Sequence, residues 1–263
     1  MIDINTIYNE DCLVTMDKMD EETIDLVVTS PPYDNLRNYN GYTFDFCSVA
    51  DKLYKVIKPG GVVVWIITDG TIKGAKTGTS FKQALYFQAI GFNIHDTMIW
   101  NKGSYTAVGA LKSKYGQVYE FMFIFSKGRP KTFNPIKDRK NKYSGQKIHG
   151  TRRYVNGNLK PISDTQKEKV VSEYGQRFNI WELPPEKHNT TGHPAVFPEY
   201  LVHDHIISWS NENDLVYDPF MGSGTTAIAA IKTNRNYIGS EISKEYFNII
   251  NQRIETMNTT FFK

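Results

Sequence analysis

The amino-acid sequence predicts an α/β fold, in which a doubly wound and mostly parallel sheet carries one inserted basic region. Short apolar runs at residues 24–28 and 62–67 are typical of strands buried in a parallel sheet. Segments with apolar residues at helical spacing alternate with such runs, as they do in βαβ units. Turns rich in glycine or proline follow two strands, at residues 29–33 and 218–225. Open α/β sheets bind their ligands at such carboxyl ends.

Apolar runs and helical spacing place the individual elements along the chain. The predicted strands span residues 24–28, 62–67, 92–100, 120–126, 215–217 and 237–239. The predicted helices span residues 46–57, 81–89, 197–208, 225–231 and 244–257. Residues 58–61 (Lys-Pro-Gly-Gly) end the first helix, Pro198 lies in the first turn of the third, and Ser243 caps the last.

The composition is that of one large globular domain. The chain has 263 residues, of which 40% are hydrophobic and 22% charged, so a substantial core can form without disulfides or metal ions. The mean hydropathy is −0.45, and no apolar run approaches the roughly 18 residues of a transmembrane helix. Acidic residues near the amino terminus argue against a secretory signal, so a cytoplasmic protein is expected.

Cysteines and histidines do not form the pattern of a metal site. Cys12 and Cys47 are the only cysteines, so neither a zinc cluster nor a disulfide framework is expected. Both are predicted to be small buried packing residues. His203 and His205 lie two residues apart on a predicted helix and therefore cannot share one of its faces. No bound metal is predicted.

The net charge of +3 conceals an uneven distribution. Residues 127–153 contain ten basic residues and one acid, Asp138, and carry a charge of +9, whereas the remainder carries −6. Residues 128–177 are poor in aliphatic side chains and show no periodic element before residues 166–174. A mildly acidic body with one basic segment favours a polyanionic partner, and a solvated surface loop is the alternative.

Residues 218–226 (Asp-Pro-Phe-Met-Gly-Ser-Gly-Thr-Thr) form a glycine-rich turn between a strand and an alanine-rich helix. Gly222 and Gly224 let the backbone turn tightly beside a ligand, and the N–H groups that begin the helix favour a polar or anionic group. Glu241 ends the next strand, 23 residues after Asp218, where doubly wound folds bind ribose hydroxyls. The alternative is a helix-capping turn with a surface glutamate. No lysine follows the second glycine, which disfavours a P-loop.

Residues 29–33 (Thr-Ser-Pro-Pro-Tyr) end the first predicted strand. Pro31 and Pro32 restrict the backbone, so the carbonyl groups of Ser30 and Pro31 point in set directions. Tyr33 adds an aromatic face on which a planar base could stack while its amine donates to the hydroxyl and the carbonyl. Taken alone, the segment would be interpreted as a proline-rich turn with a core tyrosine.

The two motifs, taken together, resemble those of the S-adenosylmethionine-dependent DNA amino-methyltransferases, which methylate N4 of cytosine or N6 of adenine. The Ser-Pro-Pro-Tyr motif precedes the glycine motif, as in the β group of that family. Three further segments resemble family motifs, at residues 9–13 (Asn-Glu-Asp-Cys-Leu), 178–181 (Phe-Asn-Ile-Trp) and 193–198 (His-Pro-Ala-Val-Phe-Pro). The resemblance covers most of residues 5–127 and 178–255, and it implies a seven-stranded, Rossmann-like methyltransferase sheet.

The resemblance implies a role for each matched residue. The cofactor pocket would be formed by Asp11, Phe197, Asp218, Phe220, Gly222, Ser223, Gly224, Thr225 and Glu241. Asp11 would contact the adenine of S-adenosylmethionine and Glu241 its ribose hydroxyls. The flipped target base would be held by Ser30, Pro31, Pro32 and Tyr33. Hydrogen bonds from the amine to Ser30 and the Pro31 carbonyl would aim its lone pair at the methyl group, and no cysteine nucleophile is needed.

The resemblance ends at the basic segment, which has the position of the family's variable target-recognition region. The chain would be a single methyltransferase domain over residues 1–263, with residues 128–177 inserted to recognise double-stranded DNA. The candidate DNA contacts are Arg129, Lys131, Lys137, Arg139, Lys140, Lys142, Lys147, Arg152 and Arg153. The family also implies a bacterial, archaeal or phage protein, with a cognate restriction endonuclease and a second copy of the chain as candidate partners.

Ser30 bears on which of the two bases is methylated. Serine before Pro-Pro-Tyr is usual in the cytosine-N4 enzymes and aspartate in the adenine-N6 enzymes, so the resemblance favours cytosine. Asp69, after the strand at residues 62–67, is a candidate final proton acceptor, with a helix or turn cap as the alternative.

Three other classes of protein share part of this pattern. A nicotinamide-dependent oxidoreductase would share the glycine turn and the acid, but it would explain neither Ser-Pro-Pro-Tyr nor the basic segment. An RNA or protein methyltransferase would share the cofactor pocket. A non-catalytic DNA-binding module would share the basic segment and would not bind S-adenosylmethionine.

Overall fold

The computed structural model describes residues 2–32, 44–104, 114–185 and 198–261, with the backbone alone at 258, 260 and 261. The chain divides into two compact units. The first unit comprises Met1–Asn134 and Asn179–Lys263, and the second unit is Pro135–Phe178.

The first unit is built on an eight-stranded sheet. Its strands are β1 Thr6–Tyr8, β2 Ile24–Thr29, β3 Ile57–Ile67, β4 Asn93–Asn101, β5 Tyr119–Ser126, β6 Ile180–Glu182, β7 Leu215–Asp218 and β8 Asn236–Ser240. They lie in the order β1-β8-β7-β2-β3-β5-β4-β6, and within this sheet only β5 runs antiparallel to its neighbours. The predicted fold class is confirmed.

The helices of the first unit cover both faces of the sheet. In chain order they are α1 Cys12–Asp17, α2 Phe46–Val56, α3 Thr79–Ala89, α4 Glu199–Trp209, α5 Thr225–Lys232 and α6 Lys244–Phe261. Helices α1 to α3 contribute to one apolar cluster, and α4 to α6 contribute to the other. A short hairpin, Thr71–Ile72 with Ala75–Lys76, precedes α3. None of the described helices is long and apolar enough to cross a membrane.

Strand β3 shows how the sheet separates the two apolar layers. Val62 and Val64 belong to the cluster beneath α4 to α6, whereas Val63 and Trp65 belong to the cluster beneath α1 to α3. Successive side chains of a strand point to opposite faces, so an all-apolar run is explained only when both faces are covered. Each of these side chains is almost completely buried, which stabilises the fold by roughly 1.5–3 kcal/mol per large apolar side chain.

The structure adds elements that the sequence did not predict. Strand β1 has three residues and one buried side chain, Ile7, and α1 has only six residues. Strand β6 also has a single buried residue, Trp181, and it makes the sheet eight-stranded rather than seven-stranded. Strand β3 begins at Ile57, earlier than predicted, because Gly60 adopts a φ of 82° and lets the Lys-Pro-Gly-Gly segment continue in the sheet.

The second unit is an irregular antiparallel ribbon. Arg139–Lys140 pairs with Tyr174–Gly175, and Thr151–Arg153 pairs with Leu159–Pro161. Where a periodic element was expected at residues 166–174, the chain forms one helical turn, Asp164–Lys167, an isolated bridge at Val170 and the short strand Tyr174–Gly175. Every residue of this unit is described, and each is exposed or half-buried. The second unit therefore has no hydrophobic core.

The two cysteines differ in their surroundings. Cys12 is buried as predicted, and burial raises the pKa of its thiol to about 12. Cys47 is exposed, so its prediction as a buried packing residue is wrong. The buried face of α2 carries Val49 and Leu53, and a residue two positions before Val49 points away from that face.

Candidate active site

A buried carboxylate ties two strands together at their carboxyl ends. Asp218, the last residue of β7, accepts hydrogen bonds from the Thr29 hydroxyl at the end of β2 (2.6 Å) and from the Thr226 hydroxyl in α5 (2.6 Å). The Phe220 N–H donates to the same carboxylate at 3.0 Å. Asp218 is 1% exposed, and burial raises its pKa to about 6 even though these donors favour the ionised form. This Asp218 bridge fixes the end of β2 relative to the glycine turn.

The Ser-Pro-Pro segment follows directly from the bridged residue Thr29. Ser30 and Pro32 are half-buried and Pro31 is buried. The segment leaves the sheet beside the carboxyl end of β3, because Thr29 pairs with Trp65. The bridge and the prolines together hold a serine hydroxyl and a rigid carbonyl at the edge where the glycine turn lies. Tyr33, the predicted stacking residue, lies outside the described residues.

Glu241, directly after β8, is arranged to accept hydrogen bonds from hydroxyl groups. Its Oε2 accepts from the Gly222 N–H (2.8 Å), and its Oε1 accepts from the Ser243 N–H (2.8 Å). The side chain is 8% exposed, and burial raises its pKa to about 7. A carboxylate oxygen that accepts one hydrogen bond still has acceptor capacity. Two neighbouring hydroxyls, such as those of a ribose, could therefore donate to this pair of acceptor oxygens.

The glycine turn is supported by α6. Gly222 and Gly224 adopt positive φ angles of 57° and 86°, a region that glycine enters without strain. A Cβ atom on Gly224 would lie 2.9 Å from Ile250, so the turn packs directly on α6. Arg253, three residues later on the same helix, donates to the Ser223 carbonyl. The helix thus holds the turn by packing and by a hydrogen bond.

The segment after β1 reaches the same edge of the sheet. The Asn9 side chain donates to the Glu241 carbonyl (2.8 Å). Asp11 caps α1, because its Oδ1 accepts from the Leu13 N–H (2.7 Å). The Asp11 carboxylate keeps acceptor capacity for a further hydrogen-bond donor.

The remaining predicted cofactor residues surround the turn. Ser223 and Thr225 are buried. Phe220 is half-buried and packs edge-to-face on Phe44, with 5.2 Å between ring centroids. The structure therefore brings Phe220 and residues 222–225 together with Asp218 and Glu241. Phe197 lies outside the described residues.

Asp69 is used as a helix cap. Its Oδ1 accepts from the Ser80 N–H in the first turn of α3 (2.8 Å), and its main-chain carbonyl accepts from Lys76 (3.2 Å). This geometry confirms the alternative interpretation of Asp69 as a cap, and it gives no support to a role in proton transfer.

The candidate DNA contacts fall in two places. Arg129 and Lys131 belong to the first unit, where the Lys131 N–H donates to the Gly60 carbonyl (3.0 Å) at the amino end of β3. That edge of the sheet is opposite the glycine turn. The other seven candidates belong to the second unit, and they are Lys137, Arg139, Lys140, Lys142, Lys147, Arg152 and Arg153. The structural unit begins at Pro135, seven residues after the predicted boundary.

Some residues that build the site carry no motif of their own. Thr29 could have been recognised because its hydroxyl lies at the buried end of a strand and therefore needs an acceptor. Arg253 could have been recognised by its spacing from Ile250, which places it on the helix face that packs against the sheet. The sequence contained no signal for their partners, because Asp218 is 189 residues from Thr29 along the chain.

Comparison with known proteins agrees with the resemblance in sequence. A family model described as DNA methylase matches residues 24–252. The chain is 55% identical, over 241 residues and 89% of each chain, to the orphan methyltransferase M.BamHII of Bacillus amyloliquefaciens. It is 28% identical to the DNA adenine methyltransferase YhdJ of Escherichia coli, over 95% of this chain and 82% of that protein.

Two solved structures share the fold. The PvuII DNA methyltransferase (cytosine-N4-specific) matches with a TM-score of 0.67 at 22% identity, covering 92% of this chain and 83% of that one. The complex of M1.HpyAVI with S-adenosylmethionine matches with a TM-score of 0.61 at 23% identity, covering 94% and 98%. At these identities the structures support the fold alone, and the family rests on the match over residues 24–252 and on the 55% identical relative. The chain belongs to the N6/N4 DNA methylase family and is a DNA methyltransferase.

Proposed function

We propose that this chain transfers a methyl group from S-adenosylmethionine to the exocyclic N4 amine of a flipped cytosine in double-stranded DNA, which releases S-adenosylhomocysteine and one proton. The observation that carries the proposal is the Asp218 bridge, which holds the segment beginning with Ser30 beside the glycine turn. A rigid acceptor segment and a turn suited to a nucleoside lie at one edge of the sheet, where open α/β sheets bind their ligands.

The base-holding residues would act by positioning the amine. An exocyclic amine is a poor nucleophile because its lone pair is delocalised into the ring. The Ser30 hydroxyl and the Pro31 carbonyl would accept hydrogen bonds from the two N–H groups of the amine. These hydrogen bonds would draw the nitrogen lone pair out of conjugation with the ring. The buried Pro31 and the adjacent Pro32 restrict the backbone, so these acceptors keep their direction during the reaction. Tyr33 would stack on the base.

Glu241 and the glycine turn fit the nucleoside part of S-adenosylmethionine. When bound, this cofactor supplies an electrophilic methyl group on a positively charged sulfur. The Glu241 carboxylate would accept hydrogen bonds from the ribose hydroxyls, and Asp11 would accept from the adenine. The turn residues would line the pocket, and these are Asp218, Phe220, Gly222, Ser223, Gly224 and Thr225, with Phe197 from the segment before α4.

Ser30 favours cytosine over adenine as the target. Adenine N6 is the second candidate, with the same mechanism, because a 28% identical relative is named a DNA adenine methyltransferase. Transfer of a tritiated methyl group to plasmid DNA, followed by hydrolysis to nucleosides, separates the two. We expect label in N4-methylcytosine. Label in N6-methyladenine would overturn the choice of base alone, whereas label in RNA or protein with inert DNA would overturn the function.

The variant Ser30→Ala tests the role of the serine in the same assay. The hydroxyl accepts from the amine in this mechanism and does not touch the cofactor. We therefore expect methylation to fall while calorimetric affinity for S-adenosylmethionine stays at the wild-type value. Unchanged methylation by Ser30→Ala would contradict the assigned role.

The proposal extends to the partners of the chain. The seven candidate DNA contacts of the second unit would bind DNA, within a single methyltransferase domain that carries this unit as its target-recognition region. A cognate endonuclease and a homodimer are proposed on the family resemblance alone, and the 55% identical relative is named an orphan methyltransferase. Sedimentation of the purified chain tests the dimer, and a monomer at micromolar concentration would contradict it.

A further inference from the structure

The ribbon of the second unit ends in a hairpin that nothing in that unit buries. Thr151–Arg153 pairs with Leu159–Pro161, so that Arg153 lies opposite Leu159 and Arg152 lies opposite Lys160. Every residue from 151 to 161 is exposed. A two-stranded hairpin with no buried face is marginally stable in water, so a covering partner would stabilise it.

The charges of the hairpin indicate what that partner is. The hairpin contains Arg152, Arg153 and Lys160 and no acid. Arg152 and Lys160 are directly opposite each other, and like charges at that position destabilise a hairpin. The nearest acid before the hairpin, Asp138, already accepts from Arg177 (2.9 Å), which lowers the pKa of its carboxyl group. Phosphates of a polyanion would relieve this repulsion.

The tip of the hairpin presents amide and apolar side chains to solvent. The Gly157 N–H donates to the Tyr154 carbonyl (2.9 Å), and the Tyr154 N–H donates to the Asn158 carbonyl (2.9 Å). Gly157 has a φ of 82°, so the left-handed glycine closes a tight turn. Val155 and Asn158 are exposed on this turn. A fully exposed valine at the tip of a basic hairpin has no packing role in the second unit.

We propose that the hairpin at residues 151–161 enters the major groove of DNA and reads part of the target sequence, an inference that rests on the proposed function. A two-stranded ribbon fits this groove, which is about 12 Å wide. Arg152, Arg153 and Lys160 bind phosphates on either side and set the register. Asn158 contacts a base edge, because a side-chain amide can form hydrogen bonds with it. Val155 contacts a thymine methyl group, because an apolar side chain suits that group.

The phosphate contacts are tested by the salt dependence of DNA binding. The probe is a duplex oligonucleotide containing the site that long-read sequencing identifies for the wild-type chain, with S-adenosylhomocysteine present. We expect the double variant Arg152→Gln with Lys160→Gln to lower the slope of log affinity against log salt by about 2. The matched control, Lys167→Gln with Lys169→Gln, removes the same charge from the same unit outside the hairpin, and its slope should stay near the wild-type value. Equal slopes for both double variants would overturn the phosphate contacts.

The base contacts are tested with Asn158→Ala and Val155→Ser. We expect Asn158→Ala to lower affinity for the identified site by about 5- to 150-fold, the value of one good bidentate base contact, and Val155→Ser to lower it by less. Affinity for unrelated DNA should change little in either variant. Affinity for S-adenosylmethionine, which reports on folding of the first unit, should not change. A further variant replaces residues 154–158 by Asn-Gly. The inference would be overturned if this variant methylated the same sequence at the same rate as the wild type. If the wild-type chain methylates no DNA, the proposed function itself fails. If the wild-type chain methylates DNA and the replacement changes nothing, only the inference about the hairpin fails.

Discussion

The two units of this chain are stabilised in different ways. The first unit has an apolar layer on each face of its sheet, and the two carboxylates of its candidate site, Asp218 and Glu241, are buried and accept hydrogen bonds. The second unit has no buried residue. It is held by main-chain hydrogen bonds and by contacts such as Arg139 over the Phe178 ring, at 4.5 Å from the ring centroid. The first unit is therefore preorganised, whereas the second would gain order from a partner.

This difference matches what the proposed function would require of each unit. Methyl transfer depends on groups held in place to within a fraction of an ångström, which a packed core provides. Binding to DNA depends on accessible cations. The second unit carries eleven basic and four acidic residues, and none of them is buried.

Hydrogen exchange should show the largest contrast between the units. Without a core, opening of the second unit costs little free energy, so we expect its amides to exchange roughly a thousandfold faster than those of β2 and β3, whose opening requires global unfolding. Addition of duplex DNA should slow exchange within Thr151–Arg153 and Leu159–Pro161. Protection of Pro135–Phe178 equal to that of β3 in the free protein would contradict the comparison.

Asp218→Ala should show that a small displacement of the carboxyl end of β2 lowers kcat. The change leaves the hydroxyls of Thr29 and Thr226 without their acceptor and frees the end of β2, so we expect kcat to fall about 100-fold. The steady-state rate should be measured well below the melting temperature, because two unpaired buried hydroxyls also destabilise the fold by roughly 1–3 kcal/mol each.

Asp164→Ala is the matched control for that change. Asp164 is an exposed acid of the second unit that pairs with Lys167 (2.8 Å), and its loss should leave kcat unchanged. Equal losses in the two variants would show that the bridge has no special role in the reaction.

Glu241 predicts a pH dependence of cofactor binding. Its pKa is about 7 because it is buried, and in the proposed complex the ribose hydroxyls would donate to its ionised form. Between pH 5 and 7 the protonated carboxyl group must lose its proton on binding, so affinity for S-adenosylmethionine should rise about tenfold per pH unit and level off above about 7. Calorimetric titrations should show weaker binding by Glu241→Gln with no such rise. The same rise in the variant would exclude Glu241 as its source.

The raised pKa of Glu241 also predicts how the free energy of unfolding changes with pH. Because its pKa in the folded protein, about 7, lies above the ordinary value of 4.5, its contribution to stability is present below about pH 4.5 and is lost as the pH rises through about 7. Urea unfolding of Glu241→Gln should show a smaller decline than the wild type, and Asp218, whose pKa is also raised by burial, accounts for part of what remains. An equal decline in the two proteins would contradict the assignment.

The sequence was most informative where a core forms. Apolar runs such as residues 62–67 predicted their strands because burial on both faces demands continuous hydrophobicity. Strands β1 and β6 each bury a single side chain, so they gave no periodic signal. The second unit gave none for the same reason, since a ribbon without a core leaves no pattern of apolar residues.

The site could be predicted only as separate motifs. Ser-Pro-Pro and the glycine turn were each recognisable along the chain, but the hydrogen bond that joins them spans 189 positions between Thr29 and Asp218. No periodicity predicts such a contact. The position of Arg129 and Lys131 beside Gly60 likewise depends on the antiparallel direction of β5, which places the residues after it at the amino end of β3.

Replacement of Pro135–Phe178 by a short glycine–serine linker tests the division of labour most directly. Asn134 and Asn179, which flank the replaced segment, are anchored to the first unit by main-chain hydrogen bonds to Ser208 (2.8 Å) and Ile99 (2.9 Å). We predict that this variant binds S-adenosylmethionine within about threefold of the wild-type affinity, as expected for independent regions, and that it no longer methylates DNA. Methylation of the wild-type site at the wild-type rate, or loss of cofactor binding by a folded variant, would contradict the account.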